Sequence, residues 1–235
     1  MRDIALEKVL GDLCQGMWFS EENASKHSRM LWEGIFYLFW HADKSVYQRD
    51  VSLKIASILG KLGTSGWNAK KKLWFESCMY IFDKHWDKVD NFRIDKFMML
   101  VRNMISQSFT IFKESDYQEI TWFADFLQKF MKDPLRAQGL LLQLTDVYIP
   151  ELGKVDNLIS LNNLAQLLRP FLYLLASTDS NVVRERVQDN VFNPLIQSNV
   201  TPPEDSEDSE PEDITQVDGG KLSKATRREV NKMIN

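Results

Sequence analysis

The stretch from Arg29 to Gln48, RMLWEGIFYLFWHADKSVYQ, limits the fold more than any other. At 3.6 residues per turn, Leu31, Trp32, Ile35, Phe36 and Phe39 share one stripe, while Tyr37 and Trp40 point away from it and are still aromatic. A helix apolar on most sides must be covered on most sides. Its apolar run falls well short of the about 20 residues needed to cross a bilayer, so other helices or a partner protein must cover it. It reads as an inner helix of an all-helical stack. The polar corner that follows, His41 to Lys44, offers Asp43 or Ser45 as a cap for the next helix.

The flanking segments carry the same period. Asp3 to Leu13 predicts a short helix, and Glu21 to Trp40 the inner one. A helix from Asp43 stops at Gly60, and another runs from Trp67 or Asn68 to Trp86. Further helices are predicted over Asp90 to Phe112, Tyr117 to Met131 and Pro134 to Tyr148, the last ended by Pro150. Residues 158 to 176 follow, with Pro170 expected to kink or divide them. Val182 to Phe192 is expected to end before Pro194. No segment alternates as a strand would. The fold class is therefore all-α, an irregular HEAT- or armadillo-like solenoid of about nine helices, with an irregular bundle as the alternative because no fixed-period repeat is visible.

Charge divides the chain. Of 33 acidic and 29 basic residues, 9 and 5 fall in residues 201 to 235, leaving 24 of each before them. A balanced helical domain over 1–200 is thus followed by an acidic linker over 201–220, expected to be disordered, and a short basic, helix-compatible tail over 221–235. That balance argues against non-specific wrapping of nucleic acid, which draws on an excess of Lys and Arg. Two cysteines, Cys14 and Cys78, form neither a zinc pattern nor a disulfide framework and fit a reducing compartment. The start of the chain does not read as a secretory signal.

No catalytic constellation emerges. His27, His41 and His85 lack metal-ligand spacing, and there is no nucleophile elbow and no dinucleotide fingerprint. The glycine-rich GKLGTSG, residues 60 to 66, has the wrong order for a phosphate loop and follows a helix, so it reads as a turn. The chain is expected to be non-enzymatic, with no cofactor, metal, small-molecule substrate or membrane span. Lys70, Lys71 and Lys72 are either a solvated helix start or local phosphate contacts with RNA. On the helix after Asp90, Arg93, Lys96, Asn103 and Gln107 form a second face, either plain solvent surface or a docking face.

Four blocks carry a resemblance. Leu31-Trp32-Glu33-Gly34-Ile35-Phe36-Tyr37 with Trp40-His41-Ala42-Asp43-Lys44 resembles the opening block of the ribosomal RNA-processing protein 1, or Nop52-like, family. Residues 86 to 102, WDKVDNFRIDKFMMLVR, are similar to its W-x-x-I/V-D-x-x-R-L/I-D-K-F-x-x-L-x-R signature. Residues 146 to 154, DVYIPELGK, resemble its D-x-Y-L-x-E-L-x-K, and Arg169-Pro170-Phe171 with Val191-Phe192-Asn193-Pro194-Leu195 resemble its closing helices. The resemblance spans residues 1 to 200. The family's first helix usually begins before the pair matching Arg2-Asp3, so its first turn is expected to be missing here, and the long lysine-rich extension of animal members is expected to be absent. The resemblance implies a nuclear, nucleolar assembly factor of the large ribosomal subunit, acting in processing of pre-ribosomal RNA. Its partners would be other assembly factors and the precursor particle, with local RNA contacts. A helical adaptor unrelated to ribosomes and a direct RNA-binding module are the alternatives.

With the resemblance in place, the corner of Tyr37, Trp40, His41, Asp43 and Lys44 together with Arg93, Asp95 and Lys96 is the candidate partner-binding site. Ser206 and Ser209 lie among seven acids between Thr201 and Asp213, a setting for acid-directed phosphorylation that would deepen the negative charge. Intact-mass analysis of the protein from its native cell is expected to show phosphate on this peptide; a wholly unmodified peptide removes the idea.

Overall fold

The computed structural model describes residues 23–63, 66–133 and 135–196. Eight α-helices follow one another: α1 (Ala24–Trp40), α2 (Ser45–Lys61), α3 (Ala69–His85), α4 (Ile94–Glu114), α5 (Ile120–Lys132), α6 (Gln138–Val155), α7 (Leu161–Ser177) and α8 (Asn181–Val187). A π-helical turn, Gln188–Phe192, and a last short α-helix, Asn193–Ile196, extend α8. No strand occurs among the described residues. The predicted helix over Asp3 to Leu13 lies outside them, as do both C-terminal segments.

Helices two apart in sequence pack side by side. α1 lies on α3 and α5 on α7, while α2 lies on α4, α4 on α6 and α6 on α8. Odd and even helices therefore form two layers, the arrangement of a helical solenoid in which each element contacts near neighbours. The inner stripe of α1 falls between them: Trp32, Ile35, Phe36 and Phe39 are buried, and Leu31 is half-buried. Trp32 tilts against Trp74 with centroids 4.7 Å apart, and its indole N–H donates to the Trp74 carbonyl at 2.9 Å. Phe36 stacks on Phe97 of α4 at 4.5 Å, joining the layers. Further along, Trp67 and Phe75 meet Phe123 of α5, and Tyr148 of α6 meets Phe171 of α7. Large rings of this kind exclude much water per residue ordered.

Of the glycine-rich segment, Gly60 and Lys61 close α2, and the described residues beyond them lead to α3. Gly63 and Gly66 both have positive φ, which glycine adopts without the clash a Cβ would bring. Asn68 then caps α3, its side chain accepting from the backbone N–H groups of Lys70 and Lys71.

Five expected boundaries are corrected. Pro150 does not end α6, and Pro170 does not divide α7; both lie inside helices. The lost hydrogen bond and ring clash of an interior proline cost about 3 kcal/mol, and the apolar residues that continue beyond each proline, Leu152 in α6 and Phe171 and Leu174 in α7, offset this by remaining buried. Helical geometry likewise continues through Pro194. α6 starts at Gln138 rather than at Pro134, and α5 at Ile120 rather than at Tyr117, because Asp116, Tyr117 and Glu119 all have positive φ. Tyr117 is held in that turn by a hydrogen bond from its hydroxyl to Asp156 at 2.8 Å.

Replacing Trp32 by alanine removes a fully buried ring and its hydrogen bond to α3. The expected loss is about 3–5 kcal/mol in urea unfolding; a loss below about 1 kcal/mol would show that α1 is not the inner helix described here.

Candidate partner-binding corner

α1 ends at Trp40 and the chain crosses to the even layer within four residues. The last carbonyls of a helix lack partners inside it and attract cations. Here the cation comes from α4: Lys96 donates to the Trp40 carbonyl at 2.6 Å and to the Ala42 carbonyl at 2.7 Å. It is 5% exposed. Burial pushes its ammonium below the ordinary lysine value, the Arg93 cation adds to the shift, and Asp43 and Asp90 pull it back. The Gln48 side-chain amide also donates to the Ala42 carbonyl, at 2.8 Å. The corner is thus capped from inside the protein.

The structure divides the candidate residues. Trp40 is half-buried, packing on Phe36 and Phe97, with the Arg93 guanidinium 5.1 Å from its ring centre. Arg93 is also paired with Asp90. His41, Asp43 and Lys44 are exposed, and Asp95 is exposed in the first turn of α4, where a carboxylate suits the helix dipole. The N-cap position of α2 falls to Lys44, whose side chain makes no capping hydrogen bond, so neither Asp43 nor Ser45 holds that post. Lys96 faces inward and offers a partner no free ammonium. Tyr37 stands on another side of α1, half exposed, with its ring edge against Phe36 and His85. His85 in turn bonds Glu33 through Nε2 at 2.8 Å.

The polar face expected on α4 is only partly open to solvent: Lys96 is buried, and Arg93, Asn103 and Gln107 are half-buried. Asn103 donates to the Ser52 hydroxyl of α2 at 2.7 Å, and Gln107 lies against Gly60, where an added Cβ would come within 2.9 Å of its amide nitrogen. They form a polar seam between α2 and α4, which Lys96 continues onto the turn before α2.

The three lysines of α3 do not form one patch either. Successive helical residues point about 100° apart. Lys71 is buried, its Nζ donating to the Gly66 carbonyl at 2.7 Å, and burial pushes its ammonium down, with Glu114 holding part of the shift back. This corrects the expectation that it reaches phosphate. Lys72 pairs with Glu119 at 2.6 Å and lies 5.1 Å from the Trp122 ring centre, while Lys70 is exposed. No group of three or more metal-ligating side chains converges among the described residues, and none of their helices is long and apolar enough to cross a membrane. Cys78 is buried as a free thiol, and burial pushes its pKa up.

Beside Tyr37 the surface opens into ground lined by Met30, Gly34 and Tyr80. The sequence did carry a signal for it, a glycine in the middle of an otherwise strong helix.

The sequence model of the family described as nucleolar protein Nop52 matches residues 2–234. The chain belongs to the Nop52 family. Ribosomal RNA processing protein 1 homolog B of Homo sapiens is 28% identical over 211 residues, covering 87% of this chain and 26% of that protein. The ribosomal RNA processing protein 1 homolog of Dictyostelium discoideum is 30% identical over 190 residues, covering 71% and 38%. That of Caenorhabditis elegans is 23% identical over 196 residues, covering 77% and 47%. This Nop52-family chain therefore spans between about a quarter and a half of the length of these relatives. The match runs through both α1 and the start of α4, the elements that Lys96 joins.

Substituting Lys96 by methionine removes the ammonium from the Trp40 and Ala42 carbonyls, and only the Ala42 carbonyl keeps a second donor, the Gln48 amide. The chain should lose about 1–3 kcal/mol in urea unfolding, with arginine at this site a poor substitute because its planar fork does not fit a space shaped for an ammonium. An unchanged urea midpoint would show that the clamp is not a structural bond.

Proposed function

We propose that this chain is a non-enzymatic factor of large-subunit ribosome assembly, required for processing of pre-ribosomal RNA and acting as a protein-binding scaffold on the nucleolar precursor particle. One observation carries the reading: the family match over residues 2–234 to a family described as nucleolar, whose relatives are named for ribosomal RNA processing. The two-layer stack supports a scaffold, since solenoids present extended surfaces and its buried aromatics keep those surfaces rigid. Residues 1–200 would form the scaffold, 201–220 an acidic linker, and 221–235 a basic tail that folds on a partner.

The corner contributes its exposed half. His41, Asp43 and Lys44 meet the partner, with Trp40 and Arg93 at the edge of the contact, while Lys96 holds them in place from beneath. Balanced charge before residue 201 favours protein over RNA as the main partner, and Lys70 and Lys72 add local phosphate contacts at most.

Affinity purification of the tagged chain from its native cell, with pre-ribosomal RNA followed after depletion, tests the proposal. Large-subunit precursors and their assembly factors should co-purify, and spacer-containing RNA should accumulate. Recovery of an unrelated set of proteins, or unchanged precursors after depletion, overturns it. Lys44→Glu should lower particle recovery severalfold without lowering the melting temperature; full recovery would retire the corner as a docking site.

A further inference from the structure

On the outer face of the odd layer, α1 and α3 enclose an open groove of about 920 Å³. Three apolar side chains of its lining are open to solvent: Met30 is 62% exposed, Tyr37 48% and Tyr80 40%. Exposed apolar residues scattered singly need no explanation, but a cluster in one concavity marks a contact site. Gly34 lies on the floor between them. A Cβ built there meets nothing within 4 Å, so no internal packing calls for glycine, and a glycine inside a helix costs about 1 kcal/mol relative to alanine. What the glycine does provide is room for another backbone to approach closely.

The rim has a sign. Lys26, Arg29 and Lys84 face a single carboxylate, Glu33, among the lining residues. Glu33 is already taken by Lys84 at 3.0 Å and by His85 at 2.8 Å. The Arg29 guanidinium lies over the Tyr80 ring, 4.0 Å from its centre, which holds one cation at the groove edge. The neighbouring groove between α3 and α5 differs, since its lining mixes Lys129, Lys132 and Arg136 with Glu76, Asp125 and Asp133.

We infer that the α1–α3 groove is the docking site for an acidic amphipathic helix of a partner protein. An extended segment is disfavoured because helices offer it no sheet edge, and its buried backbone groups would go unpaired. A helix satisfies its own backbone. At a diameter of about 10 Å and a rise of about 1.5 Å per residue, roughly two turns fill the groove. An apolar stripe at i, i+3 or i+4, and i+7 would lie on Met30, Tyr37 and Tyr80, with a small residue over Gly34 and flanking carboxylates reaching Lys26 and Arg29. This deepens the scaffold reading and rests on its claim that the chain works by binding proteins.

The test places a photo-crosslinker in the full-length chain in its native cell as Gly34→p-benzoylphenylalanine, with Glu185→p-benzoylphenylalanine on α8 as the control. The expected product is a light-dependent crosslink, absent from the control, to a segment of another protein with helical apolar spacing and flanking Asp or Glu. Reversing Lys26 and Arg29 to glutamate should reduce it at least tenfold. Gly34→Leu should reduce co-recovery of that partner at least tenfold without lowering the melting temperature, because the added side chain enters open space. Crosslinks to RNA, to residues of this chain, or to a basic segment overturn the inference, as does a yield no higher than the control. Capture of an acidic helix from a protein foreign to ribosome assembly would uphold the groove and sink the ribosomal reading. Association with precursor particles without the crosslink would do the reverse.

Discussion

A buried ammonium needs acceptors on every side it cannot reach water, and Lys96 finds them in the carbonyls of Trp40 and Ala42. That need ties three elements together: the end of α1, the turn into α2 and the first turns of α4. The crossing from the odd to the even layer happens at this turn, so its geometry sets where α2 begins. One residue beyond Lys96, Phe97 enters between Phe36 and Phe39. The charge and the ring act together, the first holding the chain end and the second holding the layer contact.

The same logic runs along α4. Lys96 meets the carbonyls of Trp40 and Ala42 ahead of α2, while Asn103 and Gln107 meet α2 itself through a hydroxyl and a glycine. A slip of one helical turn would break each of these contacts and press Gln107 onto a side chain. Polar groups placed between helices in this way select one register. They leave the outer face of α1 free, and that face carries the exposed Met30 and Tyr37. The two surfaces proposed for partners, the corner around His41 to Lys44 and the groove on the odd layer, are both built on α1.

Much of the fold could be read along the chain. The inner stripe of α1, the absence of strands among the described residues and the turn around Gly63 follow from period and backbone preference, which act over a few residues. Prolines misled the boundaries. Pro150 and Pro170 disfavour a helix locally, yet the apolar residues beyond them remain buried, so tertiary packing outweighs the local cost. At the candidate site His41, Asp43 and Lys44 were legible as residues that packing does not explain, whereas the inward turn of Lys96 and Lys71 was not. A lysine signals charge in sequence, and only its neighbours decide whether the amine meets water or a carbonyl.

Helical class, the covered face of α1, the charge division near residue 200 and the family were determined by the sequence alone, because each rests on spacing or composition along one chain. The partners of each polar face were decided by tertiary structure. A helical period states which residues share a side, and says nothing of which helix will lie against it. Thus the polar side of α4 became a seam against α2, Gly60 became the seat of Gln107, and Gly34 was left facing open space.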